Sequence, residues 1–174
     1  MVLLSLYFIV CSNNGENLKL YPVGVEFNEK GEPEWVSDIT KRGDVYLFPE
    51  GWGWYSWSPG VVWNRDLGLL IMACAGTQRP GTGPVMDSFM HYETGGLMML
   101  WAENPWGPWH KFYWDGLWDG DDPGNRLYIP QLSPKWIFDG GKTMYLIYSD
   151  ARDGHSTNYK WNMQKIRLIL KPAK

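Results

Sequence analysis

Apolar residues along this chain come in short runs, rich in β-branched and aromatic types and closed off by Gly, Pro, Asn or Asp. No stretch sustains the 3.6-residue period of an amphipathic helix, so the pattern predicts strands. They fall at 3–10, 18–25, 44–48, 58–64, 68–75, 96–102, 109–114, 128–137, 143–149 and 159–170. Asn64-Arg-Asp-Leu-Gly68 and Phe138-Asp-Gly-Gly-Lys142 read as tight hairpins, the second because Asp-Gly supplies the positive φ angles that such turns need. Trp101-Ala-Glu-Asn-Pro-Trp-Gly-Pro-Trp109 lies between two strand-like runs. With two Pro and a Gly it cannot be a helix interior, and it reads as a rigid, Trp-capped turn.

The strands group as about 1–48, 58–114 and 128–170. The middle group has the make-up of one four-stranded antiparallel propeller blade. The first lacks an opening strand and crosses a polar link at 26–43. The expected fold is all-β: a partial β-propeller of about three antiparallel four-stranded blades, filling 1–174 as a single domain. Closed propellers have roughly four to eight blades. The chain is therefore expected to leave open sheet edges, a liability that self-association would cover, most simply as a homodimer.

Composition sharpens this picture at one point. The chain holds 12 Trp, 10 Tyr and 6 Phe among 174 residues, a load suited to half-buried sheets, interfaces and ligand platforms. A net charge of −3, with no basic cluster beyond Lys41-Arg42, argues against nucleic acid and anionic membranes as partners. Cys11 and Cys74 sit in or beside apolar runs without metal or redox spacing, and read as buried free thiols. The opening run Met1–Val10 has no positive n-region and no Ala-x-Ala site, and is too short to span a bilayer. It reads as a buried strand in place of a signal-peptide core. The location is then cytoplasmic by default, with a secreted longer relative as the alternative.

Several motifs occur in order: Glu32-Pro-Glu-Trp35, Trp54-Tyr-Ser56, Val61-Val-Trp-Asn64, Asn104-Pro-Trp-Gly-Pro-Trp109, Ser133-Pro-Lys-Trp-Ile137 and Leu146-Ile-Tyr-Ser149. Together they resemble the C-terminal half of a bacterial five-bladed β-propeller family of unknown function. More distantly, that half is similar to the furanosidase propellers of glycoside hydrolase family 43. The resemblance covers about 1–170 and implies a carbohydrate-associated fold. It departs from the hydrolases in lacking the N-terminal blades that carry their first catalytic Asp, and in a local insertion at 77–94.

Propeller topology would place 11–17, 49–57, 76–95, 115–127 and 150–158 at one channel mouth, and 103–108 on the opposite face. That demotes Glu103 to a structural turn residue. At the mouth, Trp52, Trp54, Tyr55 and Trp57 form either a sugar-stacking platform or a Trp cluster filling the channel or a subunit contact. In the long loop 77–95, His91 beside Tyr92, with Asp87, supplies candidate proton-transfer groups. In 115–125, Asp119, Asp121 and Asp122 offer hard oxygen ligands for Ca²⁺, the one cofactor the sequence suggests. Asp119 is also a candidate catalytic carboxylate, and an acidic turn is the plain alternative. Trp118, Arg126, Tyr128, Arg152 and His155 complete the candidate ligand-binding set, the arginines as carboxylate forks. The expected function is a carbohydrate-associated binding or structural protein that assembles through open blade edges. The alternative is a glycosidase or polysaccharide lyase with a site in the mouth, built across a subunit interface.

Overall fold

The computed structural model describes residues 3–4, 8–11, 20–36, 38, 46–47, 57–76, 96–116, 118, 127–151 and 159–171. Everything below concerns these residues. All of their regular structure is β: β1 (Leu3–Leu4), β2 (Phe8–Cys11), β3 (Leu20–Phe27), β4 (Pro33–Val36), β5 (Tyr46–Leu47), β6 (Trp57–Asn64), β7 (Leu69–Gly76), β8 (Gly96–Ala102), β9 (His110–Asp115), β10 (Leu127–Phe138), β11 (Thr143–Ala151) and β12 (Tyr159–Arg167). Every strand pairing is antiparallel. The sheets are the meanders β6-β7-β8-β9, β10-β11-β12 and β2-β3-β4, with a small β1-β5 pair.

The all-β expectation holds, with one antiparallel sheet of four strands between 57 and 115 and another of three between 127 and 167. Four strands per group is met only in the middle one. Among the described residues the last sheet has three strands, and the first group divides into two small sheets. The polar link at 26–43, where the apolar pattern places no strand, contains β4. Asn28 makes this hairpin. Its Oδ1 accepts from the N–H of Lys30 (3.0 Å) and of Glu32 (2.9 Å), and Gly31 takes the φ of 75° that closes the loop. An Asn side chain that replaces main-chain partners inside its own turn is a strong local device, but it leaves no apolar signature.

Strand parity explains the core. The runs Ile71–Ala75 and Gly96–Leu100 are buried throughout, so β7 and β8 are covered on both faces. Successive side chains of a strand point to opposite faces. Ile71, Ala73, Ala75, Leu97 and Met99 therefore share one core with Met144, Leu146 and Tyr148 of β11. Met72, Cys74, Met98, Leu100 and Ala102 form a second core on the other face, with Trp109 and the partly buried Tyr46. The one-for-one β7–β8 register, Met72 opposite Leu100 and Ala73 opposite Met99, keeps the two sets apart.

Two close approaches set how the last sheet sits on the four-stranded one. Gly60 on β6 faces the main chain of β10 so closely that a Cβ there would lie 2.5 Å from the Pro130 carbonyl oxygen. Both strands are irregular at this point, between Trp57 and Gly60 and between Tyr128 and Gln131. Ile129 takes a φ of 49° there, a costly conformation for a β-branched residue. The second approach is polar. Asn64, fully buried, donates from Nδ2 to the Gly141 carbonyl at 2.8 Å and accepts at Oδ1 from the Leu67 N–H at 3.3 Å. One amide thus ties the β6–β7 turn to the β10–β11 turn. The latter is the expected Asp-Gly hairpin, with positive φ at Asp139, Gly140 and Gly141 and a Thr143 hydroxyl donating to Asp139 at 2.6 Å.

Candidate functional site

The two sheets are in close contact along β6 and β10 and splay apart toward β9 and β12, so a wedge opens between their outer strands. Toward the 118 end it encloses about 430 Å³ between Leu97, Met99, Phe112, Tyr113 and Trp118 on one side and Gln164–Ile169 on the other. A second hollow of about 510 Å³ continues it past Phe112 to Trp101, Ile71 and Leu69, under Leu168–Lys171. Phe112 and Ile169 line both, so they form one groove.

Sequence parity places the groove's chemistry. The β8–β9 pairing sets Tyr113 opposite Met99, and a register break then leaves Phe112 as the odd residue before Lys111 meets Leu100. A bulge of this kind re-aims a side chain, and here it leaves Phe112 41% and Tyr113 39% exposed on the groove wall. Burial raises the Tyr113 phenol above its usual value, and the nearby Asp115 carboxylate adds to the rise. At physiological pH it is therefore a neutral hydroxyl that can donate a hydrogen bond. Opposite it, Gln164 Oε1 is buried without a hydrogen-bond partner among the described residues.

Of the candidates read from the sequence, Trp118 is placed with its side chain, and it lies in this groove. Its half-buried indole packs on the inter-sheet core and meets Tyr148 edge-on, with ring centroids 5.0 Å apart. For Trp57 and Tyr128 only the main chain is described, in β6 and β10. Trp52, Trp54, Tyr55, Asp87, His91, Tyr92, Asp119, Asp121, Asp122, Arg126, Arg152 and His155 lie outside the described residues. Among the described residues no cluster of three or more His, Cys, Asp or Glu could hold a metal ion.

Glu103 is exposed in the β8–β9 turn, at the opposite strand ends from Trp118. That turn is organised by Trp109, whose Nε1 donates to the Pro105 carbonyl at 3.1 Å. Cys74 is a free, buried thiol, as expected. Desolvation pushes it up to about 12, so it stays protonated and is a poor nucleophile.

Sequence reasoning passed over Phe112, Tyr113 and Gln164. The groove exists because two sheets diverge, and spacing within one strand does not encode divergence. The one available signal was the alternation of Gln164, Ile166 and Leu168 against Lys165 and Arg167, which marks a strand with one face turned inward.

The fold and groove define an all-β domain of successive antiparallel meanders with an aromatic cleft between two of them. No protein-family model, curated protein or solved structure matches the chain.

Proposed function

We infer that this is a carbohydrate-associated binding or structural domain of propeller-like build, which completes itself by association through its open sheets, with a second copy of the chain as the expected partner. One observation carries this reading. Among the described residues, β7 and β8 at the centre of the four-stranded sheet are buried on both faces, whereas the β10–β12 sheet is covered on one. Its other face presents Phe138, Tyr145, Ile147, Trp161 and Met163 outward, with Trp161 67%, Phe138 49% and Met163 48% exposed. Contiguous apolar surface of this kind marks an interaction site.

The wedge between neighbouring meanders, tight at their first strands and open at their last, supports blade-like stacking. The resemblance to carbohydrate-active propellers supports a sugar as ligand, and the indole of Trp118 beside a phenol and an amide is a combination that suits one. Light scattering over a concentration series tests the association: a mass of two chains or more is expected, and a monomer at every concentration refutes it. A saccharide titration of the wild-type chain and Trp118→Ala tests the ligand class, with affinity expected to fall at least tenfold in the variant.

A further inference from the structure

The groove and the free edge of β12 belong together. Leu168 donates its N–H to the Lys142 carbonyl at 2.7 Å, and β11 and β12 pair one for one without a break from Thr143↔Arg167 to Ala151↔Tyr159. In an antiparallel ladder each residue turns both its N–H and its C=O to the same neighbour, alternating along the strand. Even-numbered residues of β12 therefore bond to β11. The N–H and C=O groups of Trp161, Met163, Lys165 and Arg167 face the other way. Among the described residues no strand lies there.

Side chains alternate in the same register. Gln164, Ile166 and Leu168 turn toward the groove and the inter-sheet core, while Lys165 and Arg167 are exposed on the outer face. The volume beside that edge is bounded on its far side by Phe112 and Tyr113 of β9, the strand of the four-stranded sheet that no fourth strand of β10–β12 covers. Charge selects what would fit. Beyond Asp153 the sequence given has no Asp or Glu, but it has Lys160, Lys165, Arg167 and Lys171. A second β12 would bring a second set of cations, Lys160, Lys165 and Arg167, to the same edge with no carboxylate among them, which is destabilising, whereas opposite charges across a strand pair attract.

We propose that β12 accepts an extended acidic segment of a partner polypeptide as a fourth strand. Its inward apolar side chains fill the groove against Phe112 and Tyr113, and its outward carboxylates pair with Lys165 and Arg167. This is strand addition, in which main-chain bonds give affinity and alternate side chains give specificity. It rests on the open-edge reading above and names the edge, the occupant and the charge.

The probe is a labelled short peptide alternating Val and Glu, titrated into the full chain and followed by fluorescence anisotropy. Saturable binding is expected, weakened by added salt and at least tenfold weaker for the Val/Lys counterpart. Met163→Pro removes an edge N–H that no ladder bond uses, a position where proline is tolerated; it should weaken peptide binding at least tenfold. Hydrogen exchange on the unmodified chain needs no variant: the amides of Trp161, Met163 and Lys165 should gain protection on adding the Val/Glu peptide. Absence of saturable binding, or equal binding of the two peptides, overturns the proposal. So does binding that leaves those amides unprotected. A monomeric chain that binds the Val/Glu peptide with these amides protected upholds the strand site while refuting self-association. An oligomer whose β12 amides are already protected, and which refuses the peptide, assigns the edge to a second copy and overturns the acidic-partner proposal.

Discussion

Asn64 and Gly141 show how much of this structure rests on single residues. Asn64 is a buried amide whose donor and acceptor are both used, on turns that lie 77 positions apart in sequence. Removing it strands a carbonyl and an N–H, each at a cost of about 1–3 kcal/mol when buried. Gly141 has a φ of 84°, and a Cβ there would lie 2.5 Å from Asn64 Oδ1, whereas Gly140, at 63°, has open space around it. Gly140→Ala should therefore cost only the left-handed backbone penalty of about 1–2 kcal/mol. Gly141→Ala should cost clearly more, because it also displaces the clamp. Urea denaturation of the two variants checks the order; equal losses would mean that the clamp contributes little. Cys74 gives a pH prediction at the same scale. Its folded value, pushed up to about 12 from an ordinary 9.0, lies above the unfolded one. The stability this reflects is complete below pH 9 and lost as pH rises toward 12, at no more than about 1.4 kcal/mol per pH unit. Cys74→Ala should flatten that alkaline fall in a series of denaturation curves.

At the scale of elements, the strands follow from alternation and punctuation. β6, β11 and β12 lie where alternation places them, because a half-buried strand writes its two faces directly into sequence, and β7 and β8, buried on both faces, lie where continuous apolar runs place them. The Asp139-Gly140 hairpin and the Trp-capped β8–β9 turn were legible for a similar reason, since their chemistry is local. In that turn Trp109 is buried and its indole N–H is bonded to Pro105. Trp109→Phe should keep most of the packing and lose about 0.5–1.5 kcal/mol for the missing bond. Trp109→Ala should lose about 3–5 kcal/mol. Thermal denaturation separates the two, and similar losses would show that packing alone holds the turn. β4 was not legible, because Asn28 builds its hairpin from side-chain to main-chain bonds in a polar stretch. The Phe112 bulge was not legible either, because a register break depends on both strands of the pair.

At the scale of the whole molecule, the outer face of β10–β12 governs behaviour in solution. Trp161 stands most exposed on it, opposite Ser149 in the strand pairing. Trp161→Glu should lower the mass seen by light scattering at a given concentration while leaving the melting temperature within a few degrees, since the indole contributes little to the fold of the isolated chain. An unchanged mass would move any subunit contact elsewhere. This variant and Met163→Pro act on different features, one on the sheet face and the other on its edge.

The sequence by itself determined that the chain is all-β, where most of its strands run, which turns need Gly, Asn or Asp, and that Cys74 is a buried thiol. Each of these is a property of neighbours along the chain, and alternation, turn chemistry and burial preference are all local. Only the tertiary structure decided that Gly60 brings β6 against β10, that Asn64 reaches Gly141, and that the two sheets diverge into a groove walled by Phe112 and Tyr113. These depend on how one twisted sheet is set upon another, and that angle is fixed by contacts between residues some 70 to 80 positions apart. No period within a single strand encodes them.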